Sequence, residues 1–216
     1  MSSVDIPSLN ATFLHIPKTA GRSVSEALMA AAADATILPT RDMVVPTGAA
    51  QYLMSRTDPG LLARRWSFCF IRNPWDWTVS GWLHVTRNRP AYGDAPPDFA
   101  DFVRNPWTRS LASNPHPQKY ADARTFVAHH CRISQSEHLA ADTIGTPAPM
   151  AFYGRFETLA EDWDRICNRL GLDMPLSHAN RSDRADYTTY YTDALRNVVK
   201  ARNRPLIERF GYRFGA

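Results

Sequence analysis

Residues 13–28 read FLHIPKTAGRSVSEAL, and the fold prediction rests mainly on the strand, turn and helix that this stretch indicates. Residues 12–16 are a short apolar run, which is typical of a buried strand. Residues 23–33 carry apolar side chains at helical spacing and predict a helix. The turn between them contains Lys18. A lysine at a strand-to-helix turn indicates a bound anion, because the first amides of a helix and its dipole favour negative charge.

The same strand-to-helix pattern recurs further along the chain. Residues 66–71 (WSFCFI) predict a second buried strand, and Pro74 suits the first turn of a following helix. A third short strand is predicted at residues 150–153. Further helices are predicted over residues 159–170 and from Thr192 onwards. This alternation predicts an α/β fold with a short, mainly parallel central sheet flanked by helices.

The composition is that of one ordinary globular domain spanning residues 1–216, with 44% hydrophobic and 21% charged residues. The net charge of +4 suits an anionic ligand. It is far smaller than the basic surface of a nucleic-acid-binding protein, so no nucleic-acid partner is expected. The three cysteines are widely separated and indicate no disulfide framework.

The sequence indicates neither a signal peptide nor a membrane-spanning segment. The first residues lack a basic region followed by an apolar one. No run of about 18 apolar residues, the length that spans a bilayer, occurs in the chain. We therefore expect a cytoplasmic protein that does not span a membrane.

The turn after the first predicted strand has the composition of an anion-binding loop. In α/β folds, ligands bind where strands end and helices begin. Thr19 and Ser23 supply hydroxyl donors, Lys18 supplies a mobile positive charge, and Gly21 would let the backbone approach a ligand closely. The loop differs from the Walker sequence, because its lysine precedes the glycine. The candidate binding residues are Lys18, Thr19, Ala20, Gly21, Arg22 and Ser23.

A second candidate phosphate site follows the second predicted strand. The sequence RNPWDWTVSGW places Arg72 at the end of that strand and Ser80 in the next helix. A planar guanidinium binds phosphate oxygens through charge-assisted hydrogen bonds, and a nearby hydroxyl can add another. We therefore expect these two residues to bind one phosphate together.

The two motifs, in this order, resemble those of the sulfotransferases that use 3′-phosphoadenosine 5′-phosphosulfate (PAPS). More narrowly, the chain is similar to the bacterial sulfotransferases related to the carbohydrate 2-O-sulfotransferases. In that family a HIPKTGGTS-type loop binds the 5′-phosphosulfate, and an RNP-[WY]-D motif with a serine eight positions after its arginine binds the 3′-phosphate. Residues 15–23 match the first motif, and Arg72 with Ser80 matches the second. The resemblance continues through SQSEHL, FYGRFETLAEDWDRICNRLGL and YYTDALRNVV.

The resemblance implies a P-loop-like three-layer fold and a transfer reaction with PAPS as donor. Adenosine 3′,5′-bisphosphate would be the product, and no metal ion would be required. Lys18 would be catalytic and would neutralise the charge that develops on the leaving oxygen. Phe156 would either contact the adenine or only pack within the protein, and Arg184 would lie in a loop that closes over the nucleotide. Relatives usually have arginine where this chain has Trp77.

The general base and the acceptor are less clearly indicated. Residues 24–65 contain no histidine, and Asp42 is the nearest acidic candidate for the base. His15 is interpreted as a strand-end residue. The Pro-rich residues 86–120 predict an irregular loop or lid. The acceptor would be a hydroxyl-bearing small molecule, a carbohydrate or a lipid, and the oligomeric state stays open.

Two other functions remain open from the residues. One is a small-molecule kinase that uses ATP on a variant phosphate loop, which would require a metal-binding carboxylate near a strand end. The other is a non-catalytic module that binds the nucleotide without turnover. The Walker order of residues, which the kinase would favour, is absent from the sequence.

Overall fold

A computed structural model of the chain describes residues 3–38, 59–87, 98–104, 135, 150–176 and 184–216. These parts form a mixed α/β structure. Its strands are β1 (Val4–Ile6), β2 (Ala11–Leu14), β3 (Thr36–Ile37), β4 (Trp66–Ile71) and β5 (Phe152–Arg155). Its α-helices are α1 (Gly21–Ala31), α2 (Pro59–Arg64), α3 (Pro74–Arg87), α4 (Phe99–Arg104), α5 (Leu159–Leu170), α6 (Asp193–Arg202) and α7 (Arg204–Phe210).

The five strands form one mixed sheet in the order β3-β1-β2-β4-β5. Strands β2, β4 and β5 are parallel, with Phe13 beside Phe68 and Phe68 beside Phe152. Strand β1 is antiparallel to both of its neighbours, β2 and β3. The predicted α/β class and the three predicted strands are confirmed. The sheet is mixed because β1, which the sequence analysis does not predict, enters it in the opposite direction.

The described residues fall into two compact units. The sheet unit contains the five strands with α1, α2 and α5, and the helical unit contains α3, α4, α6 and α7. The prediction of one domain and the finer P-loop-like, three-layer form stay predictions.

One apolar cluster of the sheet unit packs on one face of the sheet. Phe13, Phe68 and Phe70 point to this face and pack in one cluster with apolar side chains of α1 and α5. Trp163 on α5 is buried there, and its indole nitrogen donates a hydrogen bond to the Met174 carbonyl at 2.6 Å. Helix α5 has the bounds that its apolar spacing predicts, because the side chains on that face are the ones buried against the sheet.

The helical unit packs around α3, which contacts α4, α6 and a 3₁₀ turn at Tyr187–Tyr190. The predicted start of α6 is confirmed, because the Thr192 hydroxyl accepts a hydrogen bond from the Leu195 amide. Helix α4 lies inside residues 86–120, so the prediction that this segment is irregular is wrong at that point.

The reason for the helix is burial, since Phe99, Phe102 and Val103 are all buried on α4. The Val103 carbonyl also accepts a hydrogen bond from Arg202 at 2.8 Å. Residues 88–97 and 105–120 lie outside the described residues, so the lid stays a prediction.

Candidate functional site

The loop between β2 and α1 has an unusual backbone for its residue types. Lys18 and Ala20 both have φ 66°, in the left-handed region that favours glycine. Each such residue costs roughly 1–2 kcal/mol of backbone strain when it carries a Cβ atom. Left-handed residues within a turn are also a feature of backbone concavities that bind anions. The strained loop therefore coincides with the segment that the sequence predicts as the anion site.

Helix α1 begins at this loop without a side-chain cap. Ala20 is the N-cap residue and makes no side-chain capping hydrogen bond, and the first turn contains no acidic residue. The amides of Gly21, Arg22 and Ser23 therefore have no partner within the helix and lie at the positive end of its dipole. Ser23 is buried, with 7% of its surface exposed. This arrangement favours an anion at the start of α1.

Thr19 and Gly21 hold the loop in ways that differ from the sequence-based interpretation. Thr19 is fully buried, and its hydroxyl donates a hydrogen bond to the Ile16 carbonyl at 2.8 Å. That hydroxyl therefore stabilises the conformation of the loop. A Cβ atom at Gly21 would overlap the imidazole of His15, which is itself buried. The close approach that requires glycine here is to His15, whereas the sequence analysis assigns it to a ligand.

Arg72 is the predicted site residue that the structure places against the loop. It follows β4 directly and is 6% exposed. Its Nη1 atom donates a hydrogen bond to the Lys18 carbonyl at 3.0 Å. Its guanidinium carbon lies 3.8 Å from the centroid of the Phe156 ring, and the Phe156 amide donates to the Ile71 carbonyl at 2.7 Å.

The sheet explains why these three predicted residues meet. Strands β2, β4 and β5 are parallel neighbours, so their carboxyl ends lie at one edge of the sheet. Lys18, Arg72 and Phe156 each follow one of these strands. Residues that are far apart in the sequence therefore form one cluster, which contains the Lys18 backbone, the buried Arg72 guanidinium and the Phe156 ring.

In the helical unit, Arg184 forms a buried ion pair with Asp76 on α3. The Arg184 Nη2 atom donates to Asp76 Oδ1, and the two side chains are 12% and 14% exposed. In the part of the chain that the structure describes, Arg184 Nη1 is buried and has no hydrogen-bond partner. A buried donor without a partner is costly, so this nitrogen is a candidate for binding an anionic group.

Two other predicted positions of α3 also lie in the helical unit. Ser80 is half-buried, and its pairing with Arg72 on one phosphate stays a prediction. Trp77, at the position where the resemblance leads one to expect arginine, is a core residue that is 1% exposed.

The Asn73-Pro74 turn is held by hydrogen bonds of the Asn73 side chain. The Asn73 side chain is buried, accepts a hydrogen bond from the Trp75 amide and donates to the Arg213 carbonyl at 2.9 Å. It also donates to the Tyr187 hydroxyl at 3.3 Å. Burial raises the pKa of that hydroxyl above its ordinary value. Tyr187 and Arg213 lie 114 and 140 residues from Asn73, so no local sequence pattern signals these contacts.

Asp42, the candidate for the general base, lies outside the described residues, and its role stays a prediction. Among the residues that are described, no group of three or more His, Cys, Asp or Glu side chains is arranged to hold a metal ion. The described helices also include none that is long and apolar enough to cross a membrane.

The fold and this site define a mixed α/β protein with an uncapped helix start at the carboxyl edge of its parallel strands. Compared with known proteins, the chain matches no family model, no curated protein and no solved structure.

Proposed function

We propose that the protein is a PAPS-dependent sulfotransferase that transfers the sulfuryl group to a hydroxyl of a small molecule, a carbohydrate or a lipid. The observation that carries the proposal is the contact between the two motifs of the resemblance. The buried guanidinium of Arg72 reaches the Lys18 carbonyl, and the Phe156 ring lies under it. Finer features of the fold, namely its P-loop-like, three-layer form, belong to the same proposal, as does a cytoplasmic location.

The residues of the loop would act mainly by charge and position. The acceptor oxygen would attack the sulfur as the bond from sulfur to the bridging oxygen breaks, and the hydroxyl proton would pass to a base. Such in-line transfers through a loose transition state are accelerated chiefly by positioning and electrostatic stabilisation. Lys18 would neutralise the leaving oxygen, and the amides of residues 19–23 would hold the phosphate and sulfonate oxygens.

The side chain of Arg22 has no part in this proposal. It is 62% exposed and forms an ion pair with Glu26 at 2.8 Å. The hydrogen bond and the charge of Glu26 raise the pKa of Arg22. Arg22 therefore contributes only its backbone amide to the proposed site.

A thermal-shift comparison of nucleotides tests the proposal against the kinase alternative. Adenosine 3′,5′-bisphosphate should raise the melting temperature, whereas ATP with Mg²⁺ should raise it much less. A ligand at a hundredfold excess over its Kd stabilises the folded state by about 2.7 kcal/mol. For a chain of this size, that corresponds to a shift of roughly 5–11 °C.

The nucleotide 5′-AMP, which lacks the 3′-phosphate, serves as the control and should give a smaller shift. A larger shift with ATP and Mg²⁺ than with adenosine 3′,5′-bisphosphate would favour the kinase. No shift with any of the three nucleotides would overturn the sulfotransferase proposal.

Chelation of metal ions with EDTA is expected to leave the sulfotransferase activity essentially unchanged. The transferred sulfonyl group carries less negative charge than a phosphoryl group, so Lys18 and the loop amides should suffice to stabilise the transition state. Product formation from PAPS, measured with and without EDTA, checks this. Activity that disappears on chelation and returns with Mg²⁺ would contradict the proposed mechanism.

A further inference from the structure

Arg72 contacts the loop through the backbone of one of its two left-handed residues. The acceptor of its 3.0 Å hydrogen bond is the carbonyl of Lys18, whose own φ is 66°. A left-handed residue with a Cβ atom persists only where surrounding contacts hold it. The arginine donates to it from a buried position, and a charged donor strengthens such a bond.

The Arg72 guanidinium also contacts an aromatic ring. The ring of Phe156 lies 3.8 Å from the guanidinium carbon, which is a cation–π contact. The Phe156 amide is in turn bonded to the Ile71 carbonyl at 2.7 Å, next to Arg72. The backbone that carries the ring is therefore hydrogen-bonded to the end of β4, which also carries the arginine. These contacts form a continuous chain from β5 through Arg72 to the loop.

We infer that Arg72 is a positioning residue for the loop, which fixes the left-handed backbone of Lys18 and thereby the direction of the loop amides and of the lysine side chain. The structural part of this inference depends only on these contacts. Its consequence for nucleotide binding rests on the proposed function. The arginine would then affect the 5′-phosphate as well as the 3′-phosphate that the resemblance assigns to it.

The first test needs no ligand. Hydrogen exchange, measured by mass spectrometry on the ligand-free protein, should show the first hydrogen-bonded amides of α1 exchanging at least about tenfold faster in Arg72→Ala than in the wild type. The first of these is the Val24 amide, which donates to the Ala20 carbonyl in the loop at 3.2 Å. Peptides from β2 and β4 should exchange as in the wild type, which separates a local effect from global destabilisation. If Arg72→Ala does not fold, Arg72→Gln replaces it, because its shorter side chain does not reach the Lys18 carbonyl.

Arg65→Ala is the matched control, because it removes another partly buried arginine from the opposite end of β4. Arg65 donates hydrogen bonds to the side chains of Asp5 and Asn10, each at 3.3 Å. We expect the first hydrogen-bonded amides of α1 to exchange at the wild-type rate in this control. If these amides exchange no faster in the Arg72 variant than in the wild type, the inference is overturned, whatever the nucleotides do.

The second test is calorimetry with 5′-AMP, which has only the phosphate that the loop would bind. Arg72→Ala should weaken 5′-AMP binding about tenfold, whereas Arg65→Ala should leave it unchanged. Unchanged 5′-AMP affinity in Arg72→Ala would overturn the inferred effect of Arg72 on binding of the 5′-phosphate. Arg72 would then bind only the 3′-phosphate. A wild-type protein that binds neither 5′-AMP nor adenosine 3′,5′-bisphosphate would overturn the proposed function, and the exchange comparison would still decide the inference.

Discussion

Lys18→Ala is expected to lower kcat by about 10²–10³-fold, the usual cost of removing one preorganised group that stabilises charge in a transition state. The affinity for adenosine 3′,5′-bisphosphate should fall only a few fold, because charge on the leaving oxygen develops mainly in the transition state. Lys18 is half-buried and keeps φ 66°. Alanine also has a Cβ atom, so the substitution leaves the strain of the loop unchanged. Steady-state kinetics with saturating PAPS, together with calorimetry, measures both quantities.

Arg22→Ala is the control for this prediction, because it removes an equal positive charge four positions along the same segment. Its side chain is exposed and bound to Glu26, so kcat should stay close to the wild-type value. A large loss of kcat in Arg22→Ala would show that the general charge of the segment matters more than the position of the lysine. Lys18→Ala with wild-type turnover and a large loss of nucleotide affinity would contradict the catalytic role.

The parts of the fold that could be predicted are those in which burial leaves a periodic pattern. Strand β4 is a continuous apolar run because its residues after Trp66 are all buried. Helix α5 shows an apolar stripe because one of its faces packs against the sheet. The meeting of Lys18 and Arg72 was also predictable, since the ends of parallel strands lie at one edge of a sheet.

Strands β1 and β3 could not be predicted, because they are only three and two residues long. Such segments are too short to show an alternating pattern, and pairing makes them strands, with Val4 beside both Phe13 and Ile37.

Two features of the predicted site residues, one in each unit, are not revealed by local sequence patterns. Arg184 and Asp76 are 108 residues apart, and neither lies in a pattern that predicts the other as its partner. Ala20 adopts a left-handed conformation although residue preferences disfavour it, because the tertiary structure overrides them. Both features depend on contacts between distant parts of the chain.

Gly21→Ala is expected to destabilise the protein, although alanine favours a helix over glycine by about 1 kcal/mol. The added Cβ atom would overlap the imidazole of His15, which is buried beside the loop. Overpacking of this kind typically costs about 1–3 kcal/mol in the free energy of unfolding. Urea denaturation of the wild type and the variant measures the difference, and a more stable variant would contradict the prediction.

A double-mutant cycle tests whether the His15 ring is the cause. In a His15→Ala background the ring is absent, so Gly21→Ala should become neutral or stabilising, and the two substitutions should couple by about 1–3 kcal/mol. Gly171→Ala is the matched control, because Gly171 has φ 68° and open space around its Cβ position. Its cost should come from backbone strain alone and should be the same with and without His15. If Gly21→Ala costs as much without the imidazole as with it, the glycine is required by something other than His15, and the close approach to a ligand becomes the better explanation.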